Sequence, residues 1–410
     1  MALLSALAVA AGCAVHPAAP PAEVPSASVT STTPVRSSSV TQPSPSAVDQ
    51  QLIAAAWKND IAEVRRLIAV GADVNATDNT GQSAFLIAAS EGYVDLLDLT
   101  LRHGADVASL DGYRGTALIR AAERGHAAVV GRLLRAGTTV DHVNRLGWTA
   151  LLEAIILGDG SQRYVDTVRL LVAGGADLDR ASVKDRATPL EHARSKGQRA
   201  VAATLQTRTP SSSAATTELL TAATEGSADR VTGAIRAGAA LEARDDQRRT
   251  ALLLAASNDR VDVARLLVSL GADPDAVDNR NDTPWLVTGV TGSVAMLETL
   301  LPARPDLTLR NRYGGISVIP ASERGHVDYV RRVVRTGINV NHVNDLGWTA
   351  LLEAILLGDG TAPYQQIVEI LLDAGAKPGI ADRDGITPLT HARGRGQHQI
   401  AEILKSHGAR

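Results

Sequence analysis

The chain has 410 residues, 45% apolar, 21% charged and 3% aromatic, with a formal charge of −3. That composition can form a folded core, and it offers no basic face for a nucleic acid, so no nucleic-acid partner is expected. The single cysteine, Cys13, rules out a disulfide within the chain.

The first 13 residues, MALLSALAVAAGC, form an apolar run too short to cross a bilayer as a helix. The AAGC at 10–13 resembles a bacterial lipoprotein processing site, where cleavage precedes a cysteine that is then lipidated. Position 10 is Ala rather than Leu, and no Lys or Arg precedes the run. The resemblance implies export and a lipid on Cys13, hence a chain anchored to a bacterial membrane on its periplasmic or extracytoplasmic face. A plain secretory signal is the alternative. Residues 14–48 are Ala, Pro, Ser, Thr and Val with almost no charge and no helical or strand period. They predict a disordered tether, with a reach of roughly 30–35 Å as a coil and roughly 100 Å in polyproline II.

From about Asp49 a unit of about 33 residues recurs. A well-formed copy, TALLLAASNDRVDVARLLVSLGADPDAVD at 250–278, holds two short stretches with helical apolar spacing, separated by a polar turn. Gly271 is placed to stop the second helix. Ser83, Thr116, Thr149, Thr188, Thr250, Thr283, Thr349 and Thr387 open their units as N-caps. Pro189, Pro284 and Pro388 follow such a Thr at the first helical position, where a missing N–H costs nothing. The segment NRLGWTALLEAIILGDG at 144–160 returns as NDLGWTALLEAILLGDG at 344–360, with only Arg145 replaced by Asp345 and Ile156 by Leu356. The chain has therefore been duplicated internally.

GADVN at 71–75, GADV at 104–107, ERGH at 123–126, GADLD at 175–179, ERGH at 323–326 and TPLTH at 387–391 closely resemble the ankyrin repeat. That resemblance implies an all-α ankyrin-repeat solenoid: helix–turn–helix units joined by hairpin-like loops, about ten repeats in two five-repeat blocks. One unit cannot bury its own apolar face, so stability comes from its neighbours. The blocks are expected at 49–208 and 216–410, joined by a linker at 209–215. Whether they continue one superhelix stays open. Pro320, inside a first helix, and Pro302 and Pro305, where GAD is expected, predict a less regular second block.

The fourth unit of each block is long: 39 residues separate Thr149 from Thr188 and 38 separate Thr349 from Thr387. Most of the excess sits at 158–164 and 358–364, each opening on Gly-Asp-Gly, a turn former without the further oxygen ligands of a calcium loop. No metal and no other cofactor is expected. In ankyrin proteins the loop residues before the first helix and the last residues of that helix face a concave, partner-binding groove. Carried over, those positions are Arg145, Leu146, Trp148, Ile156 and Leu157, then Asp345, Leu346, Trp348, Leu356 and Leu357. Either the neighbouring chain or a partner covers the tryptophans, which are favoured at binding hot spots. His142 and His342 lie upstream of Glu153 and Glu353, which leaves a remote acid–base reading. The bland reading is a hairpin-tip His tied to backbone.

The expectation is a non-catalytic, monomeric scaffold that is exported and membrane-tethered and binds an unidentified protein partner on its concave faces. The alternative is a protective or inhibitory binder of one exported enzyme, since some exported bacterial ankyrin proteins are linked to oxidative-stress defence. A hydrolase is the remote third.

Overall fold

The computed structural model describes residues 46–410, which belong to one compact unit, so Cys13 and residues 14–45 of the expected tether lie outside the described residues. The first block is built from α1 (Ala47–Trp57), α2 (Ile61–Ala69), α3 (Ala84–Glu91), α4 (Val94–Arg102) and α5 (Ala117–Glu123). It continues with α6 (Ala127–Arg135), α7 (Ala150–Ile156), α8 (Gln162–Ala173), α9 (Pro189–Ser195) and α10 (Arg199–Leu205). The second block begins with α11 (Ala215–Glu225), α12 (Ala228–Arg236), α13 (Ala251–Ser257), α14 (Val261–Leu270), α15 (Pro284–Thr291) and α16 (Val294–Leu300). It ends with α17 (Val318–Glu323), α18 (Val327–Val333), α19 (Ala350–Leu356), α20 (Ala362–Asp373), α21 (Pro388–Gly394) and α22 (His398–Ser406). These are eleven helix pairs among the described residues, five and then six. The expected count of about ten is met to within one pair, and the extra pair lies in the second block. The duplicated long unit is thus fourth of five, then fifth of six.

Local chemistry sets the units. All eight expected Ser and Thr caps accept a backbone N–H from the residue three positions on. Pro189, Pro284 and Pro388 stand at the start of α9, α15 and α21. Ser46 and Asp49 form a capping box that starts α1 at Ala47. Gly271 ends α14 at φ +94°, in the left-handed region that favours glycine.

Between units the loops are closed by an Asp or Asn whose side-chain oxygen accepts two backbone N–H groups. Asp111 takes those of Tyr113 and Gly115, and Asn144 those of Leu146 and Trp148. Ladder pairing is minimal: among the described residues there are two isolated bridges, Leu110 with Thr116 and Arg244 with Thr250.

Two sequence expectations are refined. Pro320 was expected inside a helix; instead α17 starts late, at Val318, which puts Pro320 in the first turn. An N–H there has no intrahelical acceptor, so proline costs little. Irregularity does gather in the second block, where short 3-10 turns at Leu301–Ala303 and Val334–Thr336 finish two second helices. The long unit spends its excess in two places: the turn after α7 runs from 157 to 161, and α8 has 12 residues where α6 has 9. Tyr164 is therefore helical, and its hydroxyl donates to the Glu123 carbonyl of the preceding unit at 3.1 Å.

First helices stack on first helices within each block, but the stack breaks between α9 and α11. The second block folds back, so that α12 packs on α8 and α14 on α6 and α8. The two blocks therefore meet through their second helices, running in opposite order, with a first-helix layer on each outer side. Arg169 Nε donates to Asp229 at 2.7 Å and Arg265 Nη1 to Asp166 at 3.0 Å across this seam. Arg236 Nη1 caps the Val172 and Ala176 carbonyls at 3.1 and 2.7 Å, at the end of α8. A close approach occurs at Gly131 in α6, where a Cβ would stand 2.1 Å from the Ser269 carbonyl oxygen of α14. Arg135 Nη1 donates to that same oxygen at 3.0 Å.

This contact reverses an ordinary helix rule. Gly→Ala in a helix normally stabilises by up to about 1 kcal/mol. Gly131→Ala should instead cost about 1–3 kcal/mol, because backbone must move. Gly394→Ala, with nothing within 4 Å of its Cβ position, should be neutral or stabilising. Urea midpoints of the two variants against the parent chain check the sign of each.

Candidate functional site

The loop-and-first-helix face of each block carries the sequence-predicted groove residues. Leu146 and Leu157 are 50% and 49% exposed, and Leu346 and Leu357 are each 49% exposed. Arg145 and Asp345 are exposed beside them, while Trp148, Ile156, Trp348 and Leu356 are half-buried. The fold thus covers part of each indole and leaves a leucine pair open in both copies.

Beneath each leucine pair lies a glutamate. Glu153 and Glu353 sit in α7 and α19, at 1% and 4% exposure. Asn144 Nδ2 donates to Glu153 Oε1 at 2.6 Å, and Asn344 Nδ2 to Glu353 Oε1 at 2.8 Å. The asparagines close the loop with one side-chain atom and hold the glutamate with the other, a task an aspartate has no proton to perform. Burial pushes the Glu153 carboxyl up to about 7, against the lowering effect of Asn144. Burial does the same to Glu353, with the like charge of Glu323 adding to it. Sequence reasoning reached these glutamates only as partners for His142 and His342. Those rings turn elsewhere: His142 Nε2 bonds the Arg114 carbonyl at 2.8 Å and His342 Nε2 the Gly314 carbonyl at 2.6 Å. The acid–base pairing is not formed.

The unit before each long one differs between the copies. In the first block Arg120 reaches into the face, donating to Asp111 and, at 2.9 Å, to Glu123, with its guanidinium 5.4 Å from the Tyr113 ring centre. In the second block the same register holds Asn311, Tyr313, Pro320 and Glu323. A cleft of about 270 Å³ opens there, lined by Asn311, Tyr313, Glu323, Leu346, Glu353 and Leu357 among others. The signal was readable: Glu123 is kept as Glu323, while Arg120 becomes Pro320 and Asp111 becomes Asn311.

A larger cleft, about 670 Å³, runs along the seam between the blocks. Its arginines are already engaged, Arg132 with Asp98, Arg265 with Asp166, Arg304 with Asp95 and Arg135 with the Ser269 carbonyl. It belongs to the packing of the blocks. Three further histidines act as ties between units or within loops: His126 bonds the Ser90 carbonyl, His326 the Val290 carbonyl and His391 the Asp382 carboxylate.

The buried glutamates make stability depend on pH. Between pH 4.5 and about 7 the folded chain keeps protons that an unfolded chain has released. Stability therefore falls as pH rises through that window and levels off above it. Glu153→Gln and Glu353→Gln should each raise stability by roughly 1–3 kcal/mol at pH 8 and change it little below pH 4.5. Urea melts at both pH values check this.

The comparisons agree with the architecture. The family description "Ankyrin repeats (3 copies)" matches residues 52–144 and 285–382, and "Ankyrin repeat" matches 146–183 and 247–279. The ankyrin repeat protein YahD of Escherichia coli (strain K12) is 39% identical over 193 residues, covering 47% of this chain and 96% of that protein. An ankyrin repeat domain from Acinetobacter baumannii AYE, solved as a crystal structure, is 47% identical. It covers 47% of this chain and 98% of that domain, with a TM-score of 0.46. Ankyrin repeat domain-containing protein 63 of Mus musculus is 38% identical over 93 residues, and the chain spans only 24% of its length. The matched repeats are spread over both blocks and the chain spans nearly the whole of a bacterial relative: it belongs to the ankyrin-repeat family.

Proposed function

We propose that the chain is a non-catalytic scaffold that holds a partner protein on the loop-and-first-helix faces of its two blocks. The observation that carries this reading is the leucine pair left half-exposed in both copies, Leu146 with Leu157 and Leu346 with Leu357. Each pair is flanked by a half-buried tryptophan, the residue type favoured at binding hot spots. The second helices support it from the other side. Their outer surfaces are partly consumed by the packing of one block on the other, which leaves the first-helix faces to meet a partner. Arg145 in one face and Asp345 in the other give the two faces opposite charge at one register position, so they suit different parts of a partner's surface.

The reading includes export and a lipid on Cys13, supported by the AAGC at 10–13 and the uncharged, proline-rich stretch that follows. Among the described residues no helix is long and apolar enough to cross a membrane. Two experiments test these parts separately. In the first, cells are cross-linked and partners identified by mass spectrometry. Leu146→Ser with Leu157→Ser, and the same pair at Leu346 and Leu357, should cut partner recovery at least tenfold. Stability should move by about 0.5 kcal/mol per site, as for other surface substitutions. One stoichiometric enzyme would identify the chain as a dedicated inhibitor or protector. Unchanged recovery would refute the groove. In the second, a labelled fatty acid should enter the parent chain and be absent from Cys13→Ala, which should also leave the membrane fraction.

A further inference from the structure

The internal duplication lets the first block serve as a template for the second, at an offset of 200 up to the end of the long unit's second helix. In the first block one guanidinium, that of Arg120, sits among Asp111, Glu123 and the Tyr113 ring. Its side chain is 19% exposed, so the chain has enclosed its own cation there. In the second block Pro320 removes that cation and Asn311 replaces Asp111, while Glu323, Tyr313, Asn344 and Glu353 remain. Glu323 has no ion-pair partner among the described residues. Both its carboxylate and that of Glu353 line the open cleft, with Leu346 and Leu357 on its walls. Two acidic groups and no cation among its lining residues is the complement of a positively charged side chain, and the apolar walls suit a methylene stem.

We propose that this cleft takes the guanidinium of an arginine exposed on the partner protein, in the place that Arg120 fills within the first block. The inference rests on the preceding reading that this face binds a protein, and it names the chemistry of one contact. A planar guanidinium fits better than an ammonium for two reasons. It can lie along an aromatic ring while its fork meets carboxylates. The template itself is an arginine that does both. Arg312, which replaces Gly112, does not fill the role: its guanidinium lies 4.3 Å from the Tyr313 ring centre, held near Asp282 at 3.8 Å. It takes one approach to the ring, and neither cleft carboxylate gains an ion pair from it.

The test uses the full chain with labelled leucine methyls and Nα-acetyl-arginine amide as the probe. Leu346 and Leu357 signals should shift saturably, and Leu146 and Leu157 signals should stay. The neutral isostere Nα-acetyl-citrulline amide should give no saturable shift. Glu323→Gln and Pro320→Arg should each weaken the response about tenfold or more, the first by removing a carboxylate, the second by restoring an internal occupant. Arg120→Ala should make Leu146 and Leu157 respond. Four results would overturn the proposal: equal shifts with citrulline, equal binding of Nα-acetyl-lysine amide, arginine binding that survives both second-block variants, or probe-free shifts that grow with protein concentration. The last would make a second copy of the chain the occupant. If the arginine response fails while the leucine variants still cut partner recovery, the guanidinium site falls and the interaction face stands. If the leucine variants leave partner recovery unchanged as well, both fall.

Discussion

A two-helix unit of about 33 residues has apolar surface on both sides and no means of covering either alone. Every larger feature of this chain follows from how that surface is covered. Within a block, first helices such as α5 and α7, whose alanines and leucines are almost fully buried, press on their neighbours along the stack. Between blocks, the second helices cover each other. Gly131 allows α6 to approach the backbone of α14 so closely that the absent side chain is itself part of the interface.

One ion pair of this seam is enclosed. Arg169 is 12% exposed and its partner Asp229 is 27% exposed, so loss of either would leave a charge in a poorly hydrated place. Asp229 also accepts from Thr204 at 2.8 Å, which ties α12 to both α8 and α10. Such contacts fix the register of one block on the other more than they add stability. The consequence for function is orientation: a layer of second helices from each block meets in the middle, and the two first-helix faces lie on opposite outer sides.

Duplication then supplies two versions of one surface. Both keep the Asn–Glu pair, the leucine pair and the tryptophan. They differ where chemistry is selective, at Arg145 and Asp345, at Asp111 and Asn311, and at Arg120 and Pro320. The first version neutralises its acidic floor with its own arginine. The second leaves that floor open under apolar walls. An uncharged glutamic acid is the comfortable state of so buried a group, and an arriving cation would favour its ionised form.

The sequence by itself determined the units. The Ser and Thr caps, the prolines at first helical positions and Gly271 act through backbone groups a few residues away, so their effects are local and readable in order. It also placed Leu146, Leu157 and their copies on the loop-and-first-helix face, because they hold fixed places relative to a cap. It did not reveal that Pro320 would be absorbed by a late helix start, nor that the long unit would put part of its excess into α8. Those outcomes depend on neighbouring units that leave room for the change. The folding back of the second block was decided only in three dimensions. Gly131 meets Ser269, and Arg265 meets Asp166, across 138 and 99 residues of chain. No local signal distinguishes a second helix that faces solvent from one that faces another block, since both carry one apolar stripe against their own first helix. The open cleft at Pro320 is of the same kind: its residues come from two loops and two helices that only stacking brings to one place.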